Sequence, residues 1–427
     1  MTEDFQLSIK DLQLVGKEPT SVYHLSDDNL GEIFLRLPVR SLLSCQCVSK
    51  RFSEVITNLK FKDIHINRAI TSNTTSYCSV FLCGEDDTDE SGSNEIVNLR
   101  YDHILLENSH RSVSFSYVRL SNPISCRMSI VGSCNGLLCA KLKGPIDQIG
   151  SDMLIWNPVT RENRYVADPK INASTIKRTL ALAFGFTPKT KDYKVVRVVA
   201  YHNSGKALRQ PDSVLVIELE VYNMSTDNWR TYEIKTLQCR ETDHMPPLVN
   251  PNILLGMSRA TNTRSLRGAF HWLSNSTADA SRNNKSILSF DLEKEQLRLF
   301  TVLDSKKIPY VEYGILDCLN DSLSMIVPHY SYKFIDIWVM HDYGDRNSWI
   351  KLLTVDQFQG LAAQPIGFWK DKLFITVNKL LCLYNLRNQE MKFFPIAWEF
   401  YSATFCDYVE TFERVNRATA TTGVAVQ

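Results

Sequence analysis

LIWNPVTRENRYV, residues 154–166, is an apolar run ending in an aromatic, then Asn-Pro, a few polar residues, a basic residue and more apolar ones. The pattern returns as VYNMSTDNWRTY (221–232), SFDLEKEQLRLF (289–300) and LYNLRNQEMKFF (383–394). In each copy Asn or Asp follows the aromatic, and a basic residue stands eight positions beyond it: Trp156 to Arg164, Tyr222 to Arg230, Phe290 to Arg298, Tyr384 to Lys392. A fifth copy, IWVMHDYGDRNSWIKLL (337–353), keeps the flanks around Trp338 and lengthens the turn. A stretch that recurs in this way is a building unit rather than a site.

The unit reads as a hairpin. An apolar strand arrives, Asn or Asp bonds its side chain to the backbone two residues on, polar residues complete the turn and an alternating strand leaves. The aromatics follow one another at intervals of 66, 68, 48 and 46 residues, and periods near 40 to 50 belong to four-stranded propeller blades. The longer intervals require loops between strands. Other strand-like pieces fill the gaps: MSIVGSC and LLCAKL joined by Asn135-Gly136, LALAFGF, YKVVRVVAY, GAFHWLS, GILDCLNDSLSMIV and IGFWKDKLFITV. YCSVFLC, HILLEN and SFSYVRL precede the first copy, and SATFCDYVETF follows the last. Open sheet edges invite aggregation, so the pattern predicts a propeller of six blades, closed by a blade that mixes strands from both chain ends. A binding surface has no reason to repeat itself around a ring, whereas a core does. The repeated aromatics are therefore expected to be packing elements, and Arg164, Arg230, Arg298 and Lys392 to lie across their turns and bond the turn carbonyls.

The first eighty residues differ. In LSDDNLGEIFLRLPVRSLLSCQCVSKRFSEVITN, Leu30, Ile33, Phe34 and Leu37 share a helical face behind Ser26 as N-cap, with Asp27 and Asp28 in the first turn. Pro38 ends that helix and can open a second carrying Val39, Leu42, Leu43 and Val48, and Ser49 can cap a third with Phe52, Val55 and Ile56. Three short helices bury little surface unaided, so either a partner or the chain's own β domain must cover the excess.

The 427 residues carry 48 basic and 47 acidic side chains, which gives no electrostatic reason to expect nucleic acid or an anionic membrane as partner. The N-terminus is acidic and lacks an apolar core, and no run of 18 apolar residues occurs, so a soluble protein of the cytoplasm, the nucleus or both is expected. Eleven cysteines at scattered spacings, several inside apolar strands, read as free thiols. For chemistry the chain offers little. Cys45-x-Cys47 and Cys134-x4-Cys139 are not zinc spacings, the nine His residues form none either, and phosphate-loop and nucleophile-elbow motifs are missing. No cofactor or metal site is expected. His271 in GAFHWL is the most tempting catalytic side chain, but in an alternating strand beside Trp272 it reads as a packed residue.

The segment LSDDNLGEIFLRLPVRSLLSCQCVSKRF resembles the F-box, the helical module through which substrate receptors dock on the Skp-type adaptor of cullin–RING ubiquitin ligases. Glu32-Ile33-Phe34, Arg36-Leu37-Pro38-Val39, Ser41-Leu42-Leu43 and Cys47-Val48-Ser49-Lys50 carry the likeness, with Ser26 where many members have Pro and Phe52 where many have Trp. VGSCNGLLC, LIWNPVTRE, DYKVVRV, RGAFHWL and FDLEKEQ resemble, in order, the phrases of the F-box-associated interaction domain of the large plant F-box family. The layout, including HINRA after the F-box, is also similar to that of the pollen S-locus F-box branch.

The resemblance implies a flexible tail over 1–20, an F-box over 21–65, a kelch-like β-propeller over 66–410 and a flexible tail over 411–427. It implies a non-catalytic substrate receptor of an SCF-type ligase, which holds a protein target near the charged ubiquitin-conjugating enzyme. Adaptor contact would then fall to residues among Leu25, Leu30, Ile33, Leu35, Leu37, Pro38, Leu42, Leu43, Val48 and Phe52, some of which must instead form the module's own core. Helix spacing does not divide them, because both faces are apolar. Target contact is expected from polar rim loops at 201–213, 240–250, 274–284 and 340–349, with the acidic stretch 84–95 as a hairpin tip. A non-catalytic propeller scaffold or small-ligand sensor, engaged in no ligase, remains the alternative.

Overall fold

The computed structural model describes residues 25–71, 77–85, 99–109, 112–119, 127–143, 151–167, 169, 178–202, 215–234, 265–274, 286–301, 308, 314–329, 333–356, 358, 361, 363–378, 380–397, 402–406 and 408–415. The chain divides into two compact units, Met1–Ser72 with Glu410–Phe412, and Asn73–Val409 with Glu413–Gln427.

In the first unit α1 spans Asp27–Phe34, α2 Val39–Gln46, α3 Lys50–Thr57 and α4 Leu59–Thr71. Ser26 caps α1 by accepting from the Asn29 amide at 3.3 Å, and Asp27 and Asp28 sit where the helix dipole favours acids. Pro38 is the extended N-cap of α2, and Ser49 caps α3 by accepting from the Phe52 amide. Leu30, Phe34, Val39, Leu42, Phe52, Ile56 and Phe61 close the core, the rings of Phe34 and Phe52 meeting edge to face with centroids 5.2 Å apart. Helix α4 is the element that the sequence hides. In LKFKDIHINRAIT, Leu59, Phe61, Ile64 and Ile66 fall partly on a period of two, which blurs the helical stripe. It also carries the helical fold past residue 65, where the propeller was expected to begin.

The second unit is built of antiparallel sheets. The first contains β1 (Tyr77–Glu85), β2 (Leu99–Ser109) and β3 (Ser112–Arg119). The second contains β4 (Arg127–Cys134), β5 (Leu137–Lys143), β6 (Ser151–Trp156) and β7 (Asn163–Ala167), and the third β8 (Arg178–Thr187), β9 (Asp192–His202), β10 (Leu215–Asn223) and β11 (Asn228–Glu233). The fourth has β12 (Ala269–Ser274), β13 (Ser286–Asp291) and β14 (Gln296–Thr301). The fifth has β15 (Ile315–Leu319), β16 (Ser322–Pro328), β17 (Ile335–Met340) and β18 (Trp349–Val355). The sixth has β19 (Ala363–Trp369), β20 (Lys372–Val377), β21 (Leu380–Asn385) and β22 (Met391–Ala397). Last in sequence, β23 (Ser402–Cys406) returns to the first sheet and pairs antiparallel with β1, from Ser79↔Cys406 to Cys83↔Ser402.

Corresponding strands of successive sheets are neighbours: β4 with β8, β12 with β15, β15 with β19, β19 with β23 and β23 with β4. The third and fourth sheets share a core of Ala183, Val196, Val198, Phe270, Trp272 and Leu288. The series therefore closes on itself as a propeller. Six blades were expected; five are complete four-stranded blades, and the fourth sheet has three described strands. Residues 235–264 lie outside the described residues.

The repeated phrase is the packing unit of this ring. Trp156, Tyr222, Phe290, Trp338 and Tyr384 are all buried. Tyr222 packs with Val131, Leu137 and Ile155 of the preceding blade, Phe290 with Val196 and Val221, Trp338 with Leu273 and Ile287, and Tyr384 with Ile326 and Ile337. Each of these four aromatics thus seals its blade to the one before it.

Three of these turns follow the expected rule; in the second copy Asn223 instead donates to Asp192, which accepts from the Ser225 amide. Asn157 Oδ1 accepts from the amides of Val159 and Thr160, Asp291 Oδ1 from Glu293 and Lys294, and Asn385 Oδ1 from Arg387. The fifth residue of each turn, Arg161, Asp227, Glu295 or Gln389, closes it with a left-handed backbone. The basic residue does something else than expected. Arg164 donates to the Met224 carbonyl at 3.1 Å and pairs with Asp227 at 2.8 Å, both on the next blade's turn, and Arg230 reaches Glu295 in the same sense. Arg164 and Arg230 thus project beyond their own turns to the next, Arg230 also donating to Asn223 of its own turn.

His271 sits on β12, buried, with Nε2 2.6 Å from the Tyr343 hydroxyl of the lengthened fifth copy. Burial lowers its pKa from 6.5 to about 4.

Two outcomes are expected. Ending the chain at Pro395 removes β23 and opens the ring, so the truncated protein should be insoluble or lack a cooperative melt; a soluble, cooperatively unfolding truncation would show that closure is dispensable. The neutral form of His271 stabilises the fold fully above the unfolded pKa near 6.5, and this contribution is lost as pH falls through about 4. At about 1.4 kcal/mol per pH unit the loss approaches about 3 kcal/mol. Stability curves of the full chain and of His271→Gln between pH 7 and 4 should converge as pH falls, and a constant gap between them would contradict this.

Candidate functional site

The ten residues expected to serve the adaptor fall into two groups once α1 to α3 are folded. Leu30 and Leu42 are fully buried and Phe52 is 8% exposed, so these three belong to the unit's own core. Leu25, Ile33, Leu35, Leu37 and Leu43 are half-buried, Pro38 is exposed and Val48 is 57% exposed. Amphipathic helices bury one stripe, and at i and i+4 Leu30 and Phe34 take it, leaving Ile33 and Leu37 at its margin.

The corner between α1 and α2 is held by backbone bonds, Arg36 N to the Ile33 carbonyl at 3.1 Å and Leu37 N to the Phe34 carbonyl at 3.0 Å. The entry to α1 is held from α3. Arg51 pairs with Asp27 through Nε at 2.8 Å and donates through Nη2 to the Leu25 carbonyl. A single fork therefore fixes both the N-terminal turn of α1 and Leu25, a role that sequence spacing does not reveal, because the partners lie 24 and 26 residues away.

Sequence reasoning also missed His65. It is buried on α4, and its Nε2–H donates to the Leu37 carbonyl at 3.1 Å; a carbonyl only accepts, so the proton sits on Nε2. Burial, the largest influence, lowers its pKa, which keeps the ring neutral. From the other end of the chain, Phe412 and Glu410 also belong to this unit. The expected tail from 411 is thus placed at its start, with Phe412 and Val415 buried.

On the target side, 203–214, 235–264, 275–285 and 86–98 lie outside the described residues, which takes in nearly all of three expected loops and of the acidic tip. The fourth, 340–349, is described. Asp345 caps a 3-10 turn over Arg346–Ser348 by accepting from the Asn347 amide, and Ser348 bonds both Asp342 and Asp345. It exposes His341 through Asn347 in a fixed shape. Arg267 lies 5.2 Å over the Tyr343 ring.

Among the described residues no group of three or more His, Cys, Asp or Glu is placed to hold a metal ion, and no helix is long and apolar enough to cross a membrane. Burial pushes the thiols of Cys134 and Cys382 up to about 12, where they remain protonated.

Residues 23–64 match the F-box domain family model, and residues 93–415 match that of the F-box associated beta propeller domain. In Arabidopsis thaliana the chain is similar to F-box protein At3g07870, 24% identical with 86% of this chain and 82% of the relative covered. It is also similar there to F-box/kelch-repeat protein At3g23880, at 24% identity over 87% of this chain and 90% of the relative, and to F-box protein CPR1, at 22% over 85% and 82%. Capped N-terminal helices, a closed ring of repeated hairpins and family matches spanning most of the sequence agree, and the chain belongs to the F-box proteins that carry an F-box-associated β-propeller domain.

Proposed function

We propose that this chain is the substrate-recognition subunit of an SCF-type cullin–RING ubiquitin ligase, docking on a Skp-type adaptor through its helical unit and capturing a protein target with its propeller. The observation that carries the reading is the division within the helical unit. Its core is complete with Leu30, Phe34, Leu42 and Phe52, yet Pro38 and Val48 remain exposed and Leu35, Leu37 and Leu43 only half-covered. Apolar side chains outside a finished core gain free energy when a partner covers them. We assign adaptor contact to these five, with Leu25 and Ile33 at the margin.

The chain's own role in ubiquitination is geometric. Holding a target beside the charged conjugating enzyme raises the local concentration of its lysines, and none of the groups described above is asked to make or break a bond. For the target, the ordered 341–347 turn is the described element best suited to contact, since a preformed loop has less conformational entropy to lose on binding.

Two variants test the docking assignment. Leu37→Ala with Pro38→Ala should abolish co-purification with the Skp-type adaptor, truncation of a central contact residue typically costing about 2 kcal/mol or more of binding. Val48→Glu, at an exposed position, should leave thermal unfolding unchanged and still weaken the adaptor complex by placing a charge in an apolar contact. Undiminished adaptor pull-down from both variants, at equal expression, would contradict the assignment.

A further inference from the structure

The helical unit is assembled from two distant parts of the chain. Glu410–Phe412 belong to it together with the N-terminal helices. Phe412, only 3% exposed, packs edge to face on the His65 ring with centroids 5.7 Å apart, while Phe61 lies 6.0 Å away on the same imidazole. The ammonium of Lys62 sits 5.8 Å over the Phe412 ring, and Arg40 of α2 pairs with Glu410 at 2.8 Å. His65, confined by these rings, donates to the Leu37 carbonyl. The contacts form a chain: Phe412 confines His65, His65 holds Leu37, and Leu37 precedes Pro38 at the corner between α1 and α2.

We infer that Phe412 is a positioning residue for the F-box corner, so that docking through Leu37 and Pro38 requires a segment more than three hundred residues away in sequence. The contributions differ in weight. The Arg40–Glu410 pair is half exposed on the arginine side and is screened by water, so it adds little. A buried aromatic wedged against a second ring is the larger effect, because removing it leaves a cavity that the helices fill only in part. His65 then gains rotational freedom, and its bond to Leu37 is no longer enforced.

The docking half of this inference rests on the ligase reading; the structural half does not, and the experiment separates them. Amide exchange is measured on the full-length protein without adaptor, and binding to purified Skp-type adaptor is measured in parallel. Phe412→Ala should speed exchange over residues 36–43 by about tenfold or more, leave the strands β15–β22 unchanged, and weaken adaptor binding by about tenfold or more. His65→Ala should do the same, and adding Phe412→Ala to it should change exchange by no more than about twofold, since the two act in series. If Phe412→Ala does not accumulate, Phe412→Leu, which keeps bulk without the ring, carries the same comparison. Exchange over 36–43 within about twofold of the unmodified protein, or additive effects of the two substitutions, would overturn the inference. Failure of the unmodified protein to bind adaptor would instead remove the ligase reading and leave the exchange result to decide the structural claim.

Discussion

Five backbone pairs between β1 and β23 hold the second unit together as a ring. From the second sheet to the sixth, neighbouring blades bury their facing sides against each other in four apolar clusters, from Val131 and Ile155 to Phe368 and Tyr384. Without β23 the faces of β4 and β19 would lose their shared neighbour. The pairing also determines what the chain does next. Beyond β23, Asn157 Nδ2 donates to the Glu413 carbonyl at 2.9 Å and Glu162 accepts from the Val415 amide at 3.0 Å, while Glu410–Phe412 complete the helical unit. The last described stretch of the chain thus supplies residues to both units.

Within the ring, apolar and polar contacts divide the work by magnitude. Truncating a buried Trp or Phe typically costs about 3 to 5 kcal/mol, whereas a solvent-screened ion pair contributes about 1 kcal/mol or less. The repeated aromatics therefore decide whether the blades adhere. The bridges from Arg164 to Asp227 and from Arg230 to Glu295, partly exposed, fix how one turn is set against the next. Arg197 and Glu220 are a different case, paired and almost wholly buried beside Trp229, with the guanidinium 4.5 Å from the ring centroid. Breaking such a pair on one side strands a charge in the interior and costs more than the pair contributes when whole.

Legibility in the sequence followed the range of the interactions. The hairpins at Asn157, Asp291 and Asn385 were legible because an Asx turn is made within five residues and repeats, whereas at Asn223 the amide of Ser225 is bonded by the distant Asp192. The caps Ser26 and Ser49 and the corner at Pro38 were legible for the same reason. Closure by both chain ends followed from the need to hide sheet edges. The division of the ten F-box positions was illegible, since Leu30 and Ile33 differ only in which neighbour they meet. Arg51, His65 and Phe412 act across 24 to several hundred residues, and no spacing rule reaches that far. Helix α4 was missed because its apolar residues partly mimic a strand.

The functional account joins a membership with a surface: an F-box protein with an F-box-associated propeller, whose helical core is full while Leu35, Leu37, Pro38, Leu43 and Val48 stay at least partly uncovered. Its most direct test is to mix the purified full-length chain with purified Skp-type adaptor and measure the mass of the eluted species by light scattering during size-exclusion chromatography. The account predicts a one-to-one complex in which the amides around Leu37, Pro38 and Val48 become protected from exchange. Separate elution of the two proteins at micromolar concentration, with no change in protection on the helical unit, would contradict it.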